Sequence, residues 1–168
     1  AQHIRTVGGV GLPERNIIAG VVALLTARYR ERLPLIEGAR EAVLGLARCY
    51  RLGLASSAPA EVIRFVLHAA GLAGVFTAWL SSDDVARGKP APDAYLGICD
   101  RLRTEPRAAV AVEDSTNGLL AARNAGLAVI AAPNPGYPPA AEGLEVADLV
   151  VGSIADLTPD VVASLDHE

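Results

Sequence analysis

The 168-residue chain has no methionine, one tryptophan, two phenylalanines and four tyrosines, so aromatic side chains cannot build its interior. Hydrophobic residues nonetheless make up 51% of the sequence, and the expected core is aliphatic: Ala, Val, Leu and Ile. No apolar run approaches the ~20 residues of a membrane-spanning helix, and no signal-peptide pattern opens the chain. Basic excess is lacking as well. Fifteen Lys and Arg against nineteen Asp and Glu give a net charge of -4. The basic residues are scattered, which argues against a nucleic-acid or membrane surface. The only cysteines, Cys49 and Cys99, lie in helical patterns without metal-ligand spacing, and are expected to be reduced packing residues of a cytoplasmic protein. His3, His68 and His167 have no partner spacing for catalysis or metal binding and read as structural or exposed. The lack of methionine even at position 1 suggests a processed start, or a chain that begins inside a longer gene product.

What is present divides into two zones. Residues 1–33 carry Gly8, Gly9 and Gly11 and then a helical stretch over 16–32 that ends in Arg28, Arg30 and Arg32. These arginines read as a solvated helix end, or as a substrate clamp. Pro34 and Gly38 punctuate the chain and mark a boundary, with residues 34–168 as a second unit. Strands and helices then alternate. A helix over 39–50 places Ala39, Val43, Leu46 and Tyr50 on one face. A strand at 52–55 precedes a helix over 61–70 that buries Val62, Phe65, Val66 and Ala69 and stops at Gly71. Strands follow at 75–80, 108–112, 127–131 and 148–151, with helices over 92–102 and from Ser115 to Ala125, the latter closed by Gly126. Apolar strands joined by helices imply an α/β fold with a doubly wound parallel sheet covered on both faces.

Ligands of open parallel sheets sit beyond the carboxyl ends of the strands. Here those ends carry Ser56 and Ser57 at a helix start, Lys89 in a loop, and the adjacent Glu113 and Asp114. Taken singly, each has an ordinary reading: a helix cap, a solvated lysine, an N-cap. Together they suit a phosphoryl group, because helix-start amides accept an anion and a lysine adds compact positive charge. Two side-by-side carboxylates repel unless a cation compensates, and oxygen ligands of this kind hold Mg2+. The order is wrong for a response-regulator receiver, where the acid pair comes first and the lysine last. Neither GGVG nor RGKPAP is a nucleotide-binding glycine loop.

The ordered stretches LASSAP, RGKPAPDAY and VAVEDSTNGLLAARNAG resemble the second, third and fourth motifs of the haloacid dehalogenase (HAD) superfamily. The closest likeness is to its branch of sugar-phosphatases, phosphoglycolate phosphatases and β-phosphoglucomutases, over Pro34 to about Val151. The resemblance implies a Rossmann-like core, with residues 1–33 as the remainder of a helical cap over the substrate. It implies that Ser56, the Ser57 amide and Lys89 bind phosphate, with Ser56 and Lys89 catalytic. Asp114 and Glu113 would serve Mg2+, supported by Ser115 and Asn117. The implied activity is Mg2+-dependent hydrolysis of small phosphorylated metabolites through an aspartyl-phosphate, by a monomer or homodimer. A phosphosugar mutase is a less favoured variant, since LLTARYRERL around Tyr29 does not match the Lys-Asn-rich cap stretch of that branch.

The family's first motif, D-x-D-G, supplies the nucleophile and the acid–base. This chain has no such motif, and its first aspartate is Asp83. The strand carrying it would lie between those leading to Ser56 and Glu113, and its loss leaves unpaired backbone groups costing about 1–3 kcal/mol each. Three explanations stand open: an N-terminal part outside this sequence, a substitute strand at residues 3–7, or a pseudo-enzyme that binds without turnover.

Overall fold

The computed structural model describes residues 11–165. The substitute strand at residues 3–7, together with Gly8, Gly9, His3 and His167, lies outside the described residues. Helix α1, Glu14–Glu31, buries Ile17, Val22 and Thr26, and Thr26 Oγ1 donates to the Val22 carbonyl at 2.7 Å. It packs on α3, Ala60–Ala69, with the Arg30 guanidinium 5.8 Å from the Phe65 ring centroid. Arg28, Arg30 and Arg32 are all exposed, so the helix end is solvated as expected, with Arg30 also reaching over the Phe65 ring. No described helix is long and apolar enough to cross a membrane.

Beyond α2, Ala39–Leu46, strands and helices alternate as expected. They run β1 (Gly53–Ala55), α3, β2 (Ala78–Leu80), α4 (Asp93–Leu102), β3 (Val110–Glu113), α5 (Thr116–Asn124) and β4 (Ala128–Ala131). The short α6 (Ala141–Leu144), β5 (Leu149–Val150) and α7 (Pro159–Ala163) complete the chain. All strand pairs are parallel: Leu54 lies opposite Trp79, Val112 opposite Ile130, and Ile130 opposite Leu149. The strands form two sheets, β1-β2 and β3-β4-β5. One edge of β1 and one edge of β3 thus have no strand partner among the described residues.

Period-2 alternation divides the core between two faces. Ala111, Val129 and Ala131 face a cluster with Tyr95 and Cys99 of α4 and Leu119 and Ala122 of α5. Ile130 and Ala132 face the opposite cluster, formed by Ala42 and Leu46 of α2 with Leu157, Val162 and Leu165. Helices cover both faces of the larger sheet, which accounts for strands that are apolar throughout. Against the smaller sheet, α4 approaches so closely that a Cβ on Gly53 would overlap the Ile98 side chain.

Several sequence expectations shift by a residue or a face. The strand expected at 75–80 begins only at Ala78, because residues 72–77 turn after the helix stop, with Val75 N donating to the Leu72 carbonyl at 3.1 Å. Helix α2 ends at Leu46 and buries Ala42 and Leu46, while Tyr50 is exposed and donates its hydroxyl to the Pro159 carbonyl at 3.2 Å. Cys49 is exposed in the turn after α2 rather than packed in the core, whereas Cys99 is buried and burial pushes its thiol pKa up. In α3 the buried residues are Val62 and Ile63; Phe65 and Val66 are half-buried and Ala69 is exposed.

Candidate functional site

The carboxyl ends of β1 and β3 face each other across one side chain. Lys89 leaves the loop between β2 and α4 and donates to the Ala55 carbonyl at the end of β1, at 3.1 Å. It also forms an ion pair with Glu113 Oε1 at the end of β3. The lysine side chain is 10% exposed and the glutamate 9%, so this is a buried pair and the solvated-lysine reading does not hold. The loop that aims Lys89 is braced on both flanks. Ser81, fully buried, accepts at Oγ from Asp83 N at 2.9 Å, while Arg87 grips Asp93 at the start of α4 through two hydrogen bonds of 3.2 and 2.9 Å. The Arg87 guanidinium holds the Asp93 carboxyl below its ordinary range.

Tyr95 completes the cluster. Its hydroxyl donates to Glu113 Oε1 and stands 3.4 Å from Lys89 Nζ, and its ring centroid lies 4.9 Å from the same nitrogen. Burial, then the neighbouring Glu113 carboxylate, hold the Tyr95 phenol far above its ordinary pKa, so it serves as a neutral donor. Tyr95 lies within the expected helix over 92–102, and sequence reasoning gave it no role. The available signal was chemical: a buried tyrosine needs a partner for its hydroxyl.

Glu113 is surrounded by donors. Lys89 and Tyr95 share Oε1, while Ser115 Oγ donates to Oε2 at 3.2 Å. Gly118, on the first turn of α5, lets the carboxylate fit, since a Cβ there would collide with it. Ser115 caps α5 as expected, its Oγ accepting from Gly118 N at 3.1 Å. Asp114 is exposed and makes no hydrogen bond or ion pair. Ser56 donates its amide to the Leu80 carbonyl at 3.0 Å, and its Oγ accepts from Ala58 N at 3.1 Å. Ser56 therefore braces the turn that leads to α3, whose N-cap position is taken by Pro59.

A cleft of about 430 Å³ opens over this cluster, lined by Ser57, Lys89, Ser115 and Asn117 together with Tyr137 and Pro138. The structure thus brings Ser57, Lys89, Ser115 and Asn117 to one cavity. Ser56, Glu113 and Asp114 are not on its lining, although Glu113 touches it through Lys89. The donor set is compatible with a hard cation: Asp114 has both oxygens free, and Glu113 Oε2 keeps acceptor capacity beside the single serine bond. Two carboxylates suffice for Mg2+, which binds proteins through one or two of them plus water and phosphate oxygens. Among the described residues no group of three or more His, Cys, Asp and Glu forms a self-sufficient metal cage.

The chain is similar to several known proteins. The chain is 33% identical over 126 residues to hexitol phosphatase B of Escherichia coli K12, covering 74% of this chain and 57% of that protein. It is 30% identical over 128 residues to validoxylamine A 7'-phosphate phosphatase of Streptomyces hygroscopicus subsp. limoneus, covering 76% and 59%. The chain therefore spans less than two thirds of these relatives' length. The crystal structure of CbbY from Rhodobacter sphaeroides in complex with phosphate superposes with a TM-score of 0.80 at 30% identity, covering 88% of this chain and 67% of that one. Residues 12–126, which take in α1 through α5, match the haloacid dehalogenase-like hydrolase family. That match spans more than half of the chain, and this protein therefore belongs to the haloacid dehalogenase-like hydrolases.

Proposed function

We propose that this chain supplies the phosphate- and metal-binding part of a Mg2+-dependent phosphomonoesterase for small phosphorylated metabolites. The observation that carries the proposal is the position of Lys89, buried between the carboxyl ends of β1 and β3 yet lining the cleft. Lys89 has three N–H donors, directed at the Ala55 carbonyl, Glu113 and Tyr95. The Tyr95 contact, at 3.4 Å, is the weakest by length. A phosphate oxygen entering the cleft replaces that contact and leaves the other two to hold the ammonium in place. The charge then stands where negative charge grows during transfer, without reorganisation at the moment of reaction. Ser57, Ser115 and Asn117 offer further polar contacts along the same wall.

In this reading Asp114 and Glu113 hold Mg2+, which, when bound, neutralises phosphate charge. Lys89 and Tyr95 fix the Glu113 carboxylate through Oε1, which leaves Oε2, bonded only by Ser115, to face the ion. The nucleophile is an aspartate outside this chain, carried to the open edges of β1 and β3, and hydrolysis passes through an aspartyl-phosphate. The names of the phosphatase relatives support a sugar or polyol monophosphate as the substrate class.

A second reading, a module that binds phosphate without turnover, is favoured by one observation: no aspartate precedes Asp83. The natural gene product separates the two. The experiment records its intact mass and its release of phosphate from p-nitrophenyl phosphate and from sugar monophosphates, with and without EDTA. A product longer than 168 residues with EDTA-sensitive turnover is expected. A product of this length that binds phosphate and releases none supports the second reading. Robust turnover by this chain alone overturns the placement of the nucleophile.

A further inference from the structure

The loop after β4 holds an aromatic ring that the fold itself does not use. Its backbone is fastened at both ends: Asn134 Oδ1 accepts from Gly136 N at 2.9 Å and Tyr137 N donates to the Asn134 carbonyl at 3.0 Å. Downstream, Pro138 and Pro139 restrict φ, Pro139 is buried, and Ala140 N donates to Thr116 Oγ1 at 2.8 Å, tying the loop to the first turn of α5. On this fixed backbone the Tyr137 side chain is 85% exposed, with no hydrogen bond and no ring contact. Large apolar residues at a surface are common, but this one lines the same cleft as Lys89 and Ser57.

We propose that Tyr137 is a specificity-determining residue that receives the non-phosphate part of the substrate, a carbohydrate monophosphate, while Lys89 and Ser57 take its phosphate. The inference rests on the phosphate reading above and adds the residue that selects the leaving group. Sugars and polyols present C–H surface between hydroxyl groups. An aromatic face covers the first, while the phenol and the neighbouring Thr116 and Asn117 bond the second. A tyrosine suits this task because it has only two side-chain torsions to immobilise and the turn has already fixed its backbone. A cleft of about 430 Å³ lies at the small end of ligand pockets and fits one sugar unit with its phosphate.

The test is an NMR titration of the whole chain in MgCl2 with two probes, inorganic phosphate and sorbitol 6-phosphate, on wild type, Tyr137→Ala and Tyr137→Phe. Because the side chain is so exposed, all three variants are expected to fold alike, which their amide spectra verify. Tyr137→Ala is expected to weaken sorbitol 6-phosphate roughly tenfold and inorganic phosphate less than twofold, with Tyr137→Phe restoring most of the difference. Equal weakening of both probes, or of neither, overturns the role of Tyr137 and leaves the phosphate site standing. If the wild-type chain binds no inorganic phosphate, the phosphate reading falls and the assignment falls with it.

Discussion

Replacing Lys89 by methionine keeps the length of the stem and removes the charge. The consequence follows from burial: Glu113 has a 9% exposed side chain and loses its ion-pair partner, keeping only Tyr95 and Ser115 as donors. Breaking one side of a buried pair costs about 3–5 kcal/mol, because the remaining charge is left without compensation. The two surviving donors place Lys89→Met near the lower end, at about 3 kcal/mol. In a chain of this size each kcal/mol lowers Tm by roughly 2–4 °C, so the expected loss is roughly 6–12 °C. Adding Glu113→Gln removes the stranded charge. The double variant is therefore expected to be more stable than the sum of the two single losses by about 2 kcal/mol. Urea denaturation followed by circular dichroism on all four proteins measures the cycle. Stability of Lys89→Met within about 0.5 kcal/mol of wild type, or strict additivity in the double variant, would falsify the buried-pair account. The buried pair gives Lys89 an expected part in stability, which a lysine in a glycine- and proline-rich loop does not announce.

Three further outcomes follow from the same cluster. Gly118→Ala drives a Cβ into the Glu113 carboxylate and is expected to lose about 1–3 kcal/mol despite alanine's better helix propensity, as thermal unfolding will reveal. Asp114→Asn alters an exposed, unbonded carboxylate, so calorimetric Mg2+ affinity should fall while Tm stays within a degree or two; unchanged Mg2+ binding removes Asp114 from the metal site. The Tyr95 phenol is raised above the ordinary value of 10.0 by burial and Glu113, so only the unfolded chain ionises it just above that pH. Its contribution is complete below pH 10 and declines above it by about 1.4 kcal/mol per pH unit. Tyr95→Phe should flatten that decline, and an unaltered slope would exclude Tyr95 as its source.

The element order was legible because its signals are local. Apolar runs of four to six residues, and glycines at the helix ends, set the alternation; Gly71 and Gly126 do adopt positive φ, at 67° and 84°. The opening of α5 was readable for the same reason, since Ser115 caps it through Gly118 N. Burial faces were less legible. Ala42 rather than Ala39 faces the core of α2, and Cys49 is exposed, because what packs against a helix is decided by distant residues such as Leu157 and Val162. The strand ends predicted that Ser56, Ser57, Lys89, Glu113 and Asp114 would meet in one crevice; Ser57 and Lys89 line the cleft, whereas Ser56, Glu113 and Asp114 do not. Tyr95 and Tyr137 were not anticipated, the first hidden in a helix pattern and the second in a proline-rich turn.

The central claim, a phosphate in the Lys89 cleft with its divalent ion on Asp114 at the cleft's edge, is tested most directly by crystals of this chain soaked in tungstate and MnCl2, with anomalous maps for both elements. The account predicts tungstate against Lys89 Nζ and Ser57, and manganese on Asp114 beside it. Tungstate bound away from Lys89, or manganese on other carboxylates with Asp114 bare, contradicts it.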